Sequence, residues 1–139
     1  MKQTSPHNFP PEEKLKHILK TNIADIYFYD NLIVVEAYEG VTLSYKTGFQ
    51  VLARALKHIG KKPFFYIAHR VNSYSINPTD FKHLSKIPTL KGIAIASPLE
   101  SGEKNAELEK TFFKKPIELF ESIEEAYQWG MMNFIFTKK

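Results

Sequence analysis

Two uninterrupted apolar runs of strand length, PFFYIA at 63–68 and GIAIA at 92–96, constrain this chain more than any other feature of it. A run without polar alternation is expected where a strand is covered on both faces. Between the two, residues 78–86 begin on Pro78, which suits a first helical turn, and place Phe81 and Leu84 inward. Ahead of them, Tyr45, Phe49, Leu52, Ala53, Leu56 and Ile59 recur at three- and four-residue spacing. They predict a helix that Thr42 or Ser44 caps and Gly60 stops. Strand–helix alternation around buried strands predicts an α/β domain with a mixed, mainly parallel sheet and right-handed crossovers.

The flanks extend the pattern. Residues 23–29 (IADIYFY) and 32–38 (LIVVEAY) surround Asp30-Asn31 and predict a β-hairpin, although DN lacks the glycine of the strongest hairpin turns. Residues 15–19 are short and ambiguous between a strand and one helical turn. After the turn PLESG, residues 103–113 read as a helix, and IELF at 117–120 as a short edge strand. Ser122 with Glu125 forms a capping box for a helix to about Gly130. The apolar extension MMNFIF at 131–136 either docks on its own core or covers a second copy as a homodimer contact. Residues 1–12, with Pro6, Pro10 and Pro11, are expected as a flexible N-terminal arm, and 13–139 as a single domain.

Composition narrows the function. The 139 residues suit one domain, and their 43% apolar content, with 11 Phe and 7 Tyr, supplies its core. With no cysteine, thiol nucleophiles and thiolate metal sites are excluded, and a reducing, cytoplasmic setting is expected. No apolar run approaches the roughly 20 residues of a membrane span, and the N-terminus lacks a signal-peptide apolar region. The net charge is +4, but only Arg54 and Arg70 are arginines and the lysines are scattered among glutamates, so no nucleic-acid partner is expected.

Pieces at 26–41 (IYFYDNLIVVEAYEGV), 63–81 (PFFYIAHRVNSYSINPTDF), 90–97 (LKGIAIAS) and 106–129 (AELEKTFFKKPIELFESIEEAYQW) resemble the SpoIIAA-like (STAS/SEC14-like) domain proteins common in flavobacteria and their relatives. The resemblance implies a β/α superhelical domain with a four- to five-stranded sheet, about four helices and no cofactor. Anti-sigma-factor antagonists of the wider family carry a phosphorylatable serine in a D-S-[ST]-G run, and this chain has no such run.

No catalytic constellation emerges. Neither H-x-x-x-H nor H-E-x-x-H occurs among His7, His17, His58, His69 and His83, so a metal site would need assembly from distant segments, which spacing does not support. His7, His58 and His83 are expected at the surface. Six isolated glycines make no phosphate-binding loop, and Glu36 with Glu39 reads as strand and turn rather than a catalytic carboxylate pair. The candidate contact surface is the carboxyl edge of the sheet, where ligands of open α/β sheets gather. His69, Arg70, Asn72, Ser73, Tyr74, Ser75 and Asn77 follow the first buried run, and Ser97 and Ser101 follow the second. The loop is read as structural, as a protein-contact surface or as a small-molecule site. Non-catalytic interaction or regulation, with a protein partner or a homodimer, is the expected function; binding of a small apolar or anionic ligand is the alternative.

Overall fold

The computed structural model describes residues 7–11, 13–43, 45–70, 75–76, 81–97 and 113–134. The strands are β1 (His17–Lys20), β2 (Ala24–Phe28), β3 (Leu32–Ala37), β4 (Thr42–Leu43), β5 (Phe64–His69), β6 (Ser75–Ile76), β7 (Leu90–Ala96) and β8 (Ile117–Phe120). The helices are α1 (Tyr45–Ile59), α2 (Phe81–Ser85) and α3 (Ile123–Phe134). Six strands form one sheet in the order β1-β2-β3-β5-β7-β8. The first three pair antiparallel, and β3, β5, β7 and β8 run parallel.

The sheet is one strand wider than expected because the ambiguous segment before Thr21 pairs with β2. The Thr21 hydroxyl fixes that turn, accepting from the Ala24 amide at 3.0 Å and donating to the Ala24 carbonyl at 2.8 Å. The Asp30-Asn31 hairpin forms as expected, closed by the Tyr29 amide on the Leu32 carbonyl at 2.9 Å. No described residue other than glycine has positive φ, so this is not the type I′ turn of Asn-Gly hairpins. The helix expected over 103–113 lies outside the described residues, apart from its buried last residue, Phe113.

Each parallel step moves one place in the same direction across the sheet. Right-handed crossovers of that kind put their connecting helices on one face. There Ala55 and Ile59 of α1 and Leu84 of α2 pack with Ile26, Ile33, Phe64, Ile93 and Ile95. The alternate residues of the same strands, among them Tyr27, Leu32, Val34, Phe65, Ile67 and Ala94, face α3. The buried runs are thus covered twice, as their composition demands. Gly60 ends α1 with φ of 73° and donates to the Leu56 carbonyl at 3.0 Å, a left-handed helix stop. Ala53, expected on the apolar stripe of α1, is exposed.

α3 does not stop at Gly130. Glycine there serves close approach: a Cβ would lie 2.0 Å from the Phe65 ring. The same device recurs where a Cβ on Gly92 would lie 2.3 Å from the Phe134 ring. Phe134 is buried on its own sheet, while Met132 is 84% exposed. Part of the apolar extension therefore docks within the chain; residues 135–136 lie outside the described ones.

Candidate functional site

Strand alternation decides what gathers at the carboxyl edge. Leu32 and Val34 of β3 point toward α3, and so does Glu36 two residues on. In β5 the same parity runs Phe65, Ile67, His69. The parallel pairing matches Val35 with Ala68, so Glu36 and His69 are next in step on adjacent strands. His69 Nδ1 lies 2.9 Å from Glu36 Oε2.

The third member comes from the far end of the chain. Residues 7–11 and 13 run along the α3 side of the hairpin. Phe9 stacks on the Tyr127 ring at 4.4 Å and meets Tyr29 edge-on at 5.1 Å. The Tyr127 hydroxyl donates to Glu13 Oε1 at 2.7 Å. This anchoring sets His7 against the sheet, its Nε2 2.6 Å from Glu36 Oε2 and its Nδ1 2.7 Å from the Tyr29 hydroxyl. The His7 ring also meets Tyr27 edge-on at 4.8 Å and His69 at 5.7 Å. The expected surface position of His7 is overturned: the residue is 8% exposed. The expected loose arm is, over residues 7–11, a packed strap across the aromatic face.

One carboxylate oxygen therefore faces two imidazole nitrogens. Burial pushes the Glu36 carboxyl up, but the hydrogen bonds to His69 and His7 outweigh it and hold the group at about 2. Its negative charge acts on its surroundings. Burial first, and then Glu36 and Asp25, push the Tyr27 hydroxyl up to about 12. Tyr38 donates to Asp25 Oδ1 at 2.5 Å, and that bond, followed by burial, raises its hydroxyl as well. His7, Glu36 and His69 each offer one ligand atom, all within 4.8 Å of one another. Sequence spacing gave no support for a metal site, yet the fold assembles such a group from distant segments.

The expected contact surface is divided. Arg70 and Ser97 are buried, one residue past β5 and β7. The Arg70 amide donates to the Ala96 carbonyl and the Ser97 amide to the Phe120 carbonyl, both at 2.9 Å, so the ladder continues through them. Alternation then directs both away from the Glu36 and His69 side. Ser75 lies in β6, which pairs parallel with β4 through Thr42 opposite Ser75. Asn72, Ser73, Tyr74, Asn77 and Ser101 lie outside the described residues. His58 and His83 are exposed, as expected, and the His58 ring stacks on His17 at 4.4 Å across the opposite face. Glu39 is exposed beside Gly40, in keeping with a turn.

Comparison with protein-family models finds no match, and comparison with curated proteins finds none. Among solved structures the chain is similar to an uncharacterized DUF3478-family protein with a SpoIIAA-like fold from Shewanella loihica PV-4. The likeness has a TM-score of 0.52 over 81% of this chain and 90% of that one. The fold is SpoIIAA-like. At 16% identity the likeness extends to architecture and no further. A metallo-beta-lactamase fold protein, YhfI from Bacillus subtilis, is also similar at 13% identity over 82% of this chain and 51% of that one. Its TM-score of 0.41 carries no argument. On the SpoIIAA-like sheet of this chain, the monotonic strand order leaves no reversal point between the parallel strands, where open α/β sheets form their ligand crevice. The titratable cluster lies instead where the strap closes over β3 and β5.

Proposed function

We propose that this chain is a non-catalytic interaction or regulatory module that works through the carboxyl ends of β3 and β5 and the strap over them. The observation that carries this reading is how the strap is held. His7, Phe9 and Glu13 reach Glu36 and Tyr29, the Tyr127 ring, and the Tyr127 hydroxyl, through a few polar and aromatic contacts. Such a segment detaches without opening the doubly covered sheet. Its departure uncovers Tyr27, Tyr29 and Tyr127, aromatic rings with polar tips of the kind that enrich protein-contact surfaces. The partner is a protein or a second copy of this chain, in a cytoplasmic setting to which the cysteine-free sequence is suited.

The test is capture of the tagged chain at native expression with quantitative mass spectrometry, alongside light scattering of the purified protein. The expected result is a stoichiometric partner or a dimer mass, either one changed in yield by Phe9→Ala. Background proteins alone, together with a monomer mass, reject the reading. A second reading, a small anionic ligand, is favoured by the Arg70 cation buried beside Ser97 at neighbouring strand ends. Native mass spectrometry of gently purified protein and thermal shifts across an anion panel test it, and a uniformly bare mass with no shift rejects it.

A further inference from the structure

We propose that His7 Nε2, Glu36 Oε2 and His69 Nδ1 form a binding site for one divalent transition-metal ion. This goes beyond the interaction reading and stands independently of it. Two imidazoles and one carboxylate are a donor set that holds such ions while leaving further coordination positions open. The three atoms lie within 4.8 Å of one another, and Glu36 Oε2 is 2.6 Å from one nitrogen and 2.9 Å from the other. Metal–ligand bonds of about 2.0–2.2 Å separate neighbouring ligand atoms of a tetrahedral ion by about 3.3 Å. A side-chain adjustment of about half an ångström therefore opens the two contacts for an ion seated among the three groups.

The surroundings suit ligation. Metal-bound imidazoles characteristically direct the other ring nitrogen to a hydrogen-bonding partner, which fixes tautomer and orientation. His7 Nδ1 has that partner in the Tyr29 hydroxyl at 2.7 Å; on ligation the ion takes the place of the Nε2 proton that Glu36 accepts in the metal-free chain, leaving Nδ1–H to donate to Tyr29. The His7 side chain is 3% exposed, whereas those of Glu36 and His69 are 19% and 18% exposed, so the group is closed on the strap side and open to entry at the strand ends. Grouping three ligand-type side chains on a face otherwise lined by Leu32, Val34, Phe65 and Ile67 costs desolvation that an apolar trio avoids, and a bound cation offsets it. The ion would also fasten residue 7 to β3 and β5, linking strap closure to metal supply.

The experiment strips the full chain with chelator and titrates zinc alone against a chromophoric competitor. One equivalent is expected to bind at micromolar free zinc or below, and His69→Ala and Glu36→Gln are each expected to weaken it by about 100-fold or more. His58→Ala breaks the stacked His17–His58 pair, a second place where two imidazoles meet, and is expected to leave affinity unchanged. Circular dichroism checks the fold of every variant. Zinc-dependent shifts of the His7 and His69 ring nitrogens in the wild-type chain supply a readout that needs no substitution. No binding at micromolar zinc, binding that survives both ligand substitutions, or shifts confined to His17 and His58 would each overturn the proposal.

Discussion

Replacing Gly130 by alanine sets two effects of opposite sign against each other, and the structure decides between them. Gly130 lies inside α3, where alanine favours the helix by about 1 kcal/mol over glycine. The new Cβ, however, meets three atoms of the Phe65 ring at 2.0, 2.3 and 2.4 Å. Phe65 is fully buried in the middle of the sheet, so its ring has no solvent to retreat into. Ordinary contact begins at 3.4 Å, and the helix or the ring must yield by more than an ångström. Overpacking on that scale costs about 3 kcal/mol. The net expectation is destabilisation by about 2 kcal/mol, or a Tm lower by about 6–8 °C for a domain of this size. Urea titration followed by circular dichroism measures it. Phe65→Leu alone is expected to cost about 1–1.5 kcal/mol, and the double variant less than the sum by at least about 1 kcal/mol, because the new methyl fills space the smaller side chain vacates. A more stable Gly130→Ala chain, or additive effects, would refute the packing of α3 on Phe65.

In metal-free protein the Glu36 carboxyl, held at about 2 against an ordinary 4.5, contributes stability that is present above about 4.5 and lost as pH falls toward 2. Urea midpoints between pH 5 and 2.5 are expected to fall less steeply in Glu36→Gln, and a parallel slope rejects the role. Gly60→Ala is expected to cost about 1 kcal/mol by backbone conformation alone, since φ is 73° and a Cβ there meets nothing within 4 Å; an unchanged denaturation midpoint rejects the left-handed stop. Phe9→Ala is expected to cost about 1–2 kcal/mol from the lost stack on Tyr127, with faster hydrogen exchange at the Phe9 and Glu13 amides, which bond to the His7 and Pro10 carbonyls. Unchanged exchange there rejects the seated strap.

The sheet was readable because its signals are local. PFFYIA and GIAIA carry their double coverage in their composition, and Asp30-Asn31 marks the hairpin between two strand-like runs. Gly130 was misread because helix termination and close packing both select glycine, and only the partner ring distinguishes them. The β4–β6 ladder spans two residues on each side, too few for any periodicity. Two of the three members of the proposed metal-ligand group left a trace: Glu36 shares the parity of Leu32 and Val34, an inward carboxylate in an apolar strand, and His69 sits at a buried strand end. His7 left none. Its neighbours are prolines and polar residues, and its position depends on Phe9 reaching Tyr127, which no spacing rule connects.

The hydrogen bond between Glu13 and Tyr127 joins residues 114 apart, and it orders events during synthesis. A ribosome adding about 5–20 residues per second delivers the strap well before its anchor. The strands are laid down in the order of their places in the sheet, each beside a neighbour already made, so the sheet can grow as it emerges. Its second face cannot be covered at that stage. Until α3 is released, Phe65, Ile67 and Ala94 lack their cover by α3, and residues 7–11 and 13 have no Tyr127 to close against. The strap, though translated before the sheet, therefore settles only after α3. A nascent chain stalled before residue 123 presents that apolar face without α3, a substrate for chaperones and a seed for aggregation.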